Sequence, residues 1–303
     1  MPDDGMRGGV GTLIPLAAAL CDLKRIRDAS SPDSLASRAF RNAWAQLIEG
    51  RPPSDVALAT TADAIAATRL GGIDVGVLRQ AGVDPDVAGH IVLRAFDEAG
   101  AGLAPGLRTA LLAQLGRGAL GKDIPDFAER LLRQPRAGAT APGLPRIILE
   151  PPENHGDHCL VVAVLGVILS GVYGADPTTA FLAGLAHHLH NASLPDSGFA
   201  GEVLLGDELT PLIKRLFERE LASLADHPVV APLRAALATI GDADTPTGRA
   251  FNAADVIDRV LQMRHYDRVA AFTIDQALDD LDLVHAGPLQ AFHQDVLREA
   301  RLP

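Results

Sequence analysis

Residues 158–175 read HCLVVAVLGVILSGVYGA, eighteen positions without a charged side chain between Asp157 and Asp176. The run approaches the length at which a membrane-crossing helix has to be considered. It carries His158 at one end and no basic flank, and the next apolar stretch is interrupted by HHLH at residues 187–190. A helix buried on all sides inside a soluble protein, with no membrane association, is therefore the expectation. The composition around it agrees. Hydrophobic residues make up 48% of the chain and charged ones 21%, which describes a globular protein, and only 4% are aromatic. A core built from Ala, Leu, Val and Ile favours closely packed helices over sheets, so the fold class is expected to be all-α.

At 303 residues the chain can bury one large core or two moderate ones. The segment RAGATAPGLPR, residues 136–146, mixes Gly, Pro and Ala with no apolar period and reads as a linker. It implies a tail at 1–12, a helical N-terminal domain at 13–135, a linker at 136–147 and a second helical domain at 148–303. In the first half, Ser31-Pro32 offers an N-cap for a helix that runs to Gly50, and further helices are expected near 54–70, 84–99 and 105–115. In the second half RIILE, residues 146–150, is strand-like. Helices are then expected near 155–173, 177–191, 208–225, 229–239, 249–264, 266–281 and 286–300. Gly116, Gly121 and Lys122 match the start of a phosphate-binding loop, but Asp123 stands where a hydroxyl is required, so chance accounts for the match.

A net charge of -11 argues against general affinity for nucleic acid, and an anionic small molecule would have to be bound by something local. Cys21 and Cys159 form no framework, and the acidic Asp3 and Asp4 do not suit a secretory leader, which together point to a reducing cytoplasm. Cys159 is expected to be a buried, inert thiol.

Histidines concentrate where the chain is otherwise most apolar: His155 and His158 open the first long helix, and His187, His188 and His190 close the next. Imidazole is the commonest neutral nitrogen ligand of transition metals, and buried polar groups are costly unless bonded. Antiparallel pairing of the two helices across the turn at Gly174 to Pro177 would bring the start of one beside the end of the other. A carboxylate is needed as well, and FNAADVIDRVLQ, residues 251–262, offers two. Asp255 lies within an apolar helix and is the favoured ligand. Asp258 precedes Arg259 and is expected to pair locally or cap a solvated face. Lys214 and Arg215 are expected on an exposed face with Glu218 and Glu220, and His227 is expected to be structural or exposed.

The order ENHGDH, LAGLAHHLHN, NAADVIDRVL resembles the HD superfamily of metal-dependent phosphohydrolases, and the opening is similar to the branch that includes bacterial 5'-deoxynucleotidases. The resemblance covers about residues 150–270. It implies an HD-type helical bundle, with His158 as first ligand, His187 as the His of the family's His-Asp doublet and Asp255 as the final Asp. His188 stands where the family has the Asp that can bridge two metal ions. A neutral imidazole has one lone pair and cannot bridge, so the set His158, His187, His188 and Asp255 suits one iron, zinc, manganese or nickel ion rather than a magnesium pair. Asn191 stands where some relatives place a Glu acting as general acid or base. Asp196 lies at the spacing of an Asp near the leaving group; it is either the general acid or a turn residue after Pro195.

The resemblance implies hydrolysis of a phosphomonoester or nucleotide, a small anionic substrate, through a metal-activated water. Two alternatives stay open: a catalytically degenerate HD domain that binds a nucleotide, a metal or a protein, and an iron-dependent oxygenase of the HD type. An oligomer is compatible with any of them.

Overall fold

The protein is described here from a computed structural model covering residues 9–29, 31–118, 121–144, 146, 148–269 and 294. Thirteen α-helices occur among the described residues. The first seven are α1 (Gly9–Asp22), α2 (Leu35–Ile48), α3 (Pro53–Leu70), α4 (Val75–Gln80), α5 (Pro85–Ala99), α6 (Pro105–Leu112) and α7 (Asp126–Arg133). After an irregular stretch come α8 (His155–Tyr173), α9 (Pro177–Ala186), α10 (Gly198–Leu205), α11 (Leu209–Ala222), α12 (Val230–Leu237) and α13 (Pro246–Val269). Short 3-10 turns occupy Leu189–Ala192 and Gly206–Glu208. The all-α expectation is met. The strand expected at RIILE is absent: the described part of that segment is irregular, and Ile148 is 73% exposed. A lone apolar run with no partner strand has nowhere to send its backbone hydrogen bonds.

Helix α8 is the centre of the first unit's packing. Every residue from His155 to Ser170 is buried, and α1, α2, α3, α6, α7 and α9 all pack against it. It is the one described helix long and apolar enough to cross a membrane, and neighbouring helices, not solvent, surround it. Gly174 ends it in the left-handed conformation at φ 68°, and the Asp176 side chain caps α9 by accepting from the Thr179 amide at 2.7 Å. The two helices then pack antiparallel at very short range. A Cβ added at Gly184 of α9 would sit 2.5 Å from the Ala163 backbone of α8. Helix α9 ends at Ala186, before the expected residue 191, because the Asn191 amide bonds back to the His188 carbonyl and tightens the chain into a 3-10 turn.

Helix α2 begins three residues later than the Ser31 cap implies. Ser34 is the cap, accepting from the Ser37 amide at 2.9 Å, while Ser31 accepts from the Asp33 amide at 3.1 Å. The Ser34 hydroxyl also donates to the buried Asp157 carboxylate, so this cap ties α2 to the first turn of α8.

The described residues up to 259 belong to one compact unit and those from 260 onward to another. Helices from both sides of the expected linker, α2 and α3 on one hand and α8 and α9 on the other, share the core of the first unit. The chain at 136–146 is irregular as expected, yet its start is stitched to α8: the Arg136 amide donates to the Glu153 carbonyl at 2.8 Å and the His155 amide to that of Gln134 at 3.2 Å. In the second unit the described residues are the last turns of α13 and Gln294, and Gln262 donates to the Tyr266 hydroxyl there. The helices expected at 266–281 and 286–300 lie outside the described residues except for 266–269 and 294.

Candidate metal centre

Asn154 caps α8 through the Asp157 amide at 2.8 Å, which sets His155 and His158 in the first helical turn. Across from them His187 and His188 leave the end of α9, and Asp255 and Asp258 approach from α13. A ring nitrogen from each of His158, His187 and His188 lies within 4.8 Å of the others.

Hydrogen bonds fix the tautomers. Nδ1 of His158 is 2.7 Å from Oδ2 of Asp258, an ionised carboxylate that only accepts, so Nδ1 carries the proton. Nδ1 of His187 is 2.7 Å from the Gly184 carbonyl and carries its proton for the same reason. Both rings therefore present bare Nε2 lone pairs, and these face each other at 3.1 Å. Oδ1 of Asp255 joins them, 3.3 Å from Nε2 of His158. Three acceptors converging at this range repel one another unless a cation lies among them, either a proton on His158 or a metal ion. Two nitrogens bound to one zinc-like ion stand about 3 Å apart. The outward-facing Nδ1–H groups, one on a carboxylate and one on a carbonyl, are bonded as metal-bound histidines usually are, which holds each ring in place. The donor set thus fits a transition metal.

Electrostatics keep these donors ready. Burial, with the nearby His158, pushes the His187 pKa down to about 3, so its ring is neutral at physiological pH. For Asp255, burial acts upward, but the neighbouring His158, His187 and Arg259 outweigh it and bring the carboxyl down to about 2. Asp258 is fully buried, and burial is again overcome, by Lys24 and His158, which hold its carboxyl well below the ordinary range.

Lys24, just past α1, supplies much of that field. Its ammonium is buried, 2.6 Å from Asp258 and 2.7 Å from Glu153. Cys21 donates to Oδ1 of Asp258 at 3.3 Å. The expectation that Asp258 pairs with Arg259 or caps a solvated face is corrected: Asp258 points inward and holds His158, and Arg259 pairs with Asp255 at 3.3 Å, one helical turn away. Asp258, at three residues from Asp255, faces the same interior because 3.6 residues make a turn.

His188 is placed differently. Arg136 approaches its Nε2 at 2.9 Å, and because a guanidinium only donates, that lone pair is taken. Its Nδ1–H donates to Oδ1 of Asn191 at 2.8 Å, and Asn191 in turn donates to the Leu194 carbonyl at 3.1 Å. Burial and the neighbouring His187 and Arg136 push the His188 pKa well down, keeping the ring neutral. Asn191 thus orients His188. Asp196 accepts from the amides of Ala137 at 3.0 Å and Gly198 at 2.9 Å, so it does serve as a turn residue. Its Oδ2 also lies 3.7 Å from Nε2 of His155 and 4.0 Å from Nε of Arg136.

Of the residues expected at the site, His158, His187, His188 and Asp255 come together. Asn191 and Asp196 lie on the His188 side. Lys214 and Arg215 are exposed, and Glu218 pairs with Arg234, but Glu220 is buried against Arg130 rather than exposed. His227 bonds the Ile48 carbonyl at 3.0 Å, a structural role. Cys159 is fully buried, and burial raises its thiol pKa to about 12, an inert state. In the loop match at 116–122, the Gly116 amide goes to Asp63 and the Lys122 amide to Glu49, so carboxylates hold the groups a phosphate would need. Sequence reasoning missed Lys24, Arg136 and Asp258. Lys24 had no usable signal, since it opens the cationic run Lys24, Arg25, Arg27, and Arg136 had none within a stretch that reads as linker.

Comparison with protein-family models, with curated proteins and with solved structures found no match for this chain.

Proposed function

We propose that the chain is a metal-dependent hydrolase of a phosphomonoester or nucleotide, of the HD type that its motif order resembles. The observation that carries this reading is the pair of Nε2 lone pairs held 3.1 Å apart beside Asp255, with both Nδ1 protons committed elsewhere. His158, His187 and Asp255 would hold one divalent transition metal, iron, zinc, manganese or nickel, with His188 as a fourth ligand when Arg136 releases it. When bound, such an ion lowers the pKa of a water toward neutrality and polarises a phosphoryl oxygen. The chain's own contributions are separate. Asp258, its charge balanced by Lys24, keeps the His158 ring turned inward. Asn191 fixes the tautomer of His188, and Asp196 would exchange a proton with a leaving group.

A second reading is favoured by one feature. With His188 bonded to Arg136, the free donors are two histidines and one carboxylate, the set used by non-haem iron oxygenases. Elemental analysis of the purified chain tests both readings: about one transition metal per chain is expected, and Asp255→Ala should lose it together with any turnover of phosphomonoesters. Absence of metal after reconstitution would overturn both. Oxygen consumption by the ferrous form without phosphate release would select the oxygenase.

A further inference from the structure

His155 is wholly buried, and among the described residues neither of its ring nitrogens has a hydrogen-bond partner within the protein. A buried polar group in that state marks a place where something else completes the bonding. Its surroundings say what. The His155 ring lies 4.9 Å from that of His188, and Asp196 lies 3.7 Å from its Nε2. Arg136 completes the group, with one guanidinium nitrogen on His188 and its Nε 4.0 Å from Asp196.

A second metal ion is a poor occupant, because the guanidinium charge is already there and Nε2 of His188 is spent on it. The substitution at 188 matters here. An Asp facing Arg136 would neutralise it in an ion pair; a neutral imidazole accepts one of its hydrogen bonds and leaves the charge available. Asp196 offsets part of that charge, but the Ala137 and Gly198 amides already bond both of its oxygens.

We infer that Arg136, His155 and Asp196 form a subsite for the phosphoryl group of a phosphomonoester, beside the metal centre. Arg136 and the N–H of His155 donate to phosphoryl oxygens, and Asp196 accepts from a protonated oxygen of the same group. This combination of donors and one acceptor suits hydrogen phosphate and its monoesters and discriminates against sulfate, which has no proton to give near neutral pH. Of the three residues, Asp196 also lines a cleft of about 550 Å3 together with Arg130, Arg133 and Gln134. Of the two arginines on its wall, Arg130 is paired with Glu220, which leaves Arg133 to add positive charge there.

The assignment of the ligand as substrate rests on the hydrolase reading, but the binding test does not. Inorganic phosphate and sulfate are titrated calorimetrically into the full chain, metal-free and metal-loaded, with metal content measured on the same samples. Phosphate is expected to bind at least tenfold more tightly than sulfate. Arg136→Met should weaken phosphate at least tenfold without reducing metal content, and Arg136→Lys should fall between the two. Asp196→Asn should narrow the phosphate preference. His155→Phe should weaken phosphate as well; if that buried variant fails to fold, the Arg136 and Asp196 variants still decide.

Equal affinity for phosphate and sulfate overturns the subsite, as does phosphate binding indifferent to Arg136. Binding abolished by removal of metal but not by Arg136→Met places the anion on the metal and overturns the subsite while the hydrolase reading stands. Phosphate binding that depends on Arg136 in a chain that never holds metal supports the subsite and removes the hydrolase.

Discussion

Lys24 shows how a residue outside the candidate ligand set can govern it. It is buried between Glu153 and Asp258, and Asp258 in turn sets which nitrogen of His158 carries the proton. Removing the ammonium leaves two buried carboxylates facing each other, a loss of about 3–5 kcal/mol for a broken buried pair. One of them is then free to take a proton and release the imidazole. Lys24→Met is therefore expected to lower stability by that amount and to weaken metal about 10–100-fold, the usual effect of losing the hydrogen-bond partner that orients a ligating histidine. Denaturant unfolding and chelator competition measure the two effects. A variant that keeps wild-type metal affinity would show that Asp258 holds His158 without help. The site residues legible from sequence were those whose chemistry is local: histidines in an apolar run and an aspartate within an apolar helix. Lys24 and Arg136 were not legible, since each acts only through a partner more than fifty residues away in the chain.

At the scale of elements, the centre depends on how closely α8 and α9 approach. The absence of a side chain at Gly184 lets the α9 backbone rest on Ala163, and the Gly184 carbonyl then receives the Nδ1–H of His187. A Cβ there would lie 2.5 Å from backbone atoms, which have no rotamer to yield, whereas at Gly166 the nearest atom is the Ala180 carbonyl oxygen at 3.0 Å. Gly184→Ala is expected to cost about 1–3 kcal/mol or more by overpacking and to weaken metal by turning His187, while Gly166→Ala is milder on both counts. Thermal unfolding of the two variants side by side checks the order; equal losses would contradict the contact geometry. The pairing of these helices was readable from the turn at Gly174 to Pro177. The early end of α9 was not, because it reflects the 3-10 turn that the Asn191 amide closes on the His188 carbonyl.

Across the whole first unit, several histidines sit in a dry interior. Burial is the leading cause that lowers the pKa of His155 to about 2, His187 to about 3 and His190 to about 4, each from an ordinary 6.5. Below 6.5 the unfolded chain takes up protons that the folded chain refuses, so the difference in bound protons is positive and stability falls as pH drops. The loss is absent above about pH 7, and between pH 6 and 4 each ring contributes up to about 1.4 kcal/mol per pH unit. The metal-free chain should unfold at clearly lower urea at pH 5 than at pH 7.5; an unchanged midpoint would mean that these rings are already charged in the fold. By itself the sequence determined the helical class, the central buried helix and the metal-ligand candidates, because apolar periodicity, capping residues and clustered imidazoles act over a few neighbours. Tertiary structure alone decided that helices on both sides of residues 136–147 share one core, that Asp258 faces inward, and that His188 answers to Arg136. Those outcomes depend on which distant surfaces meet, and burial and charge at a meeting point are properties of the pair, not of either segment.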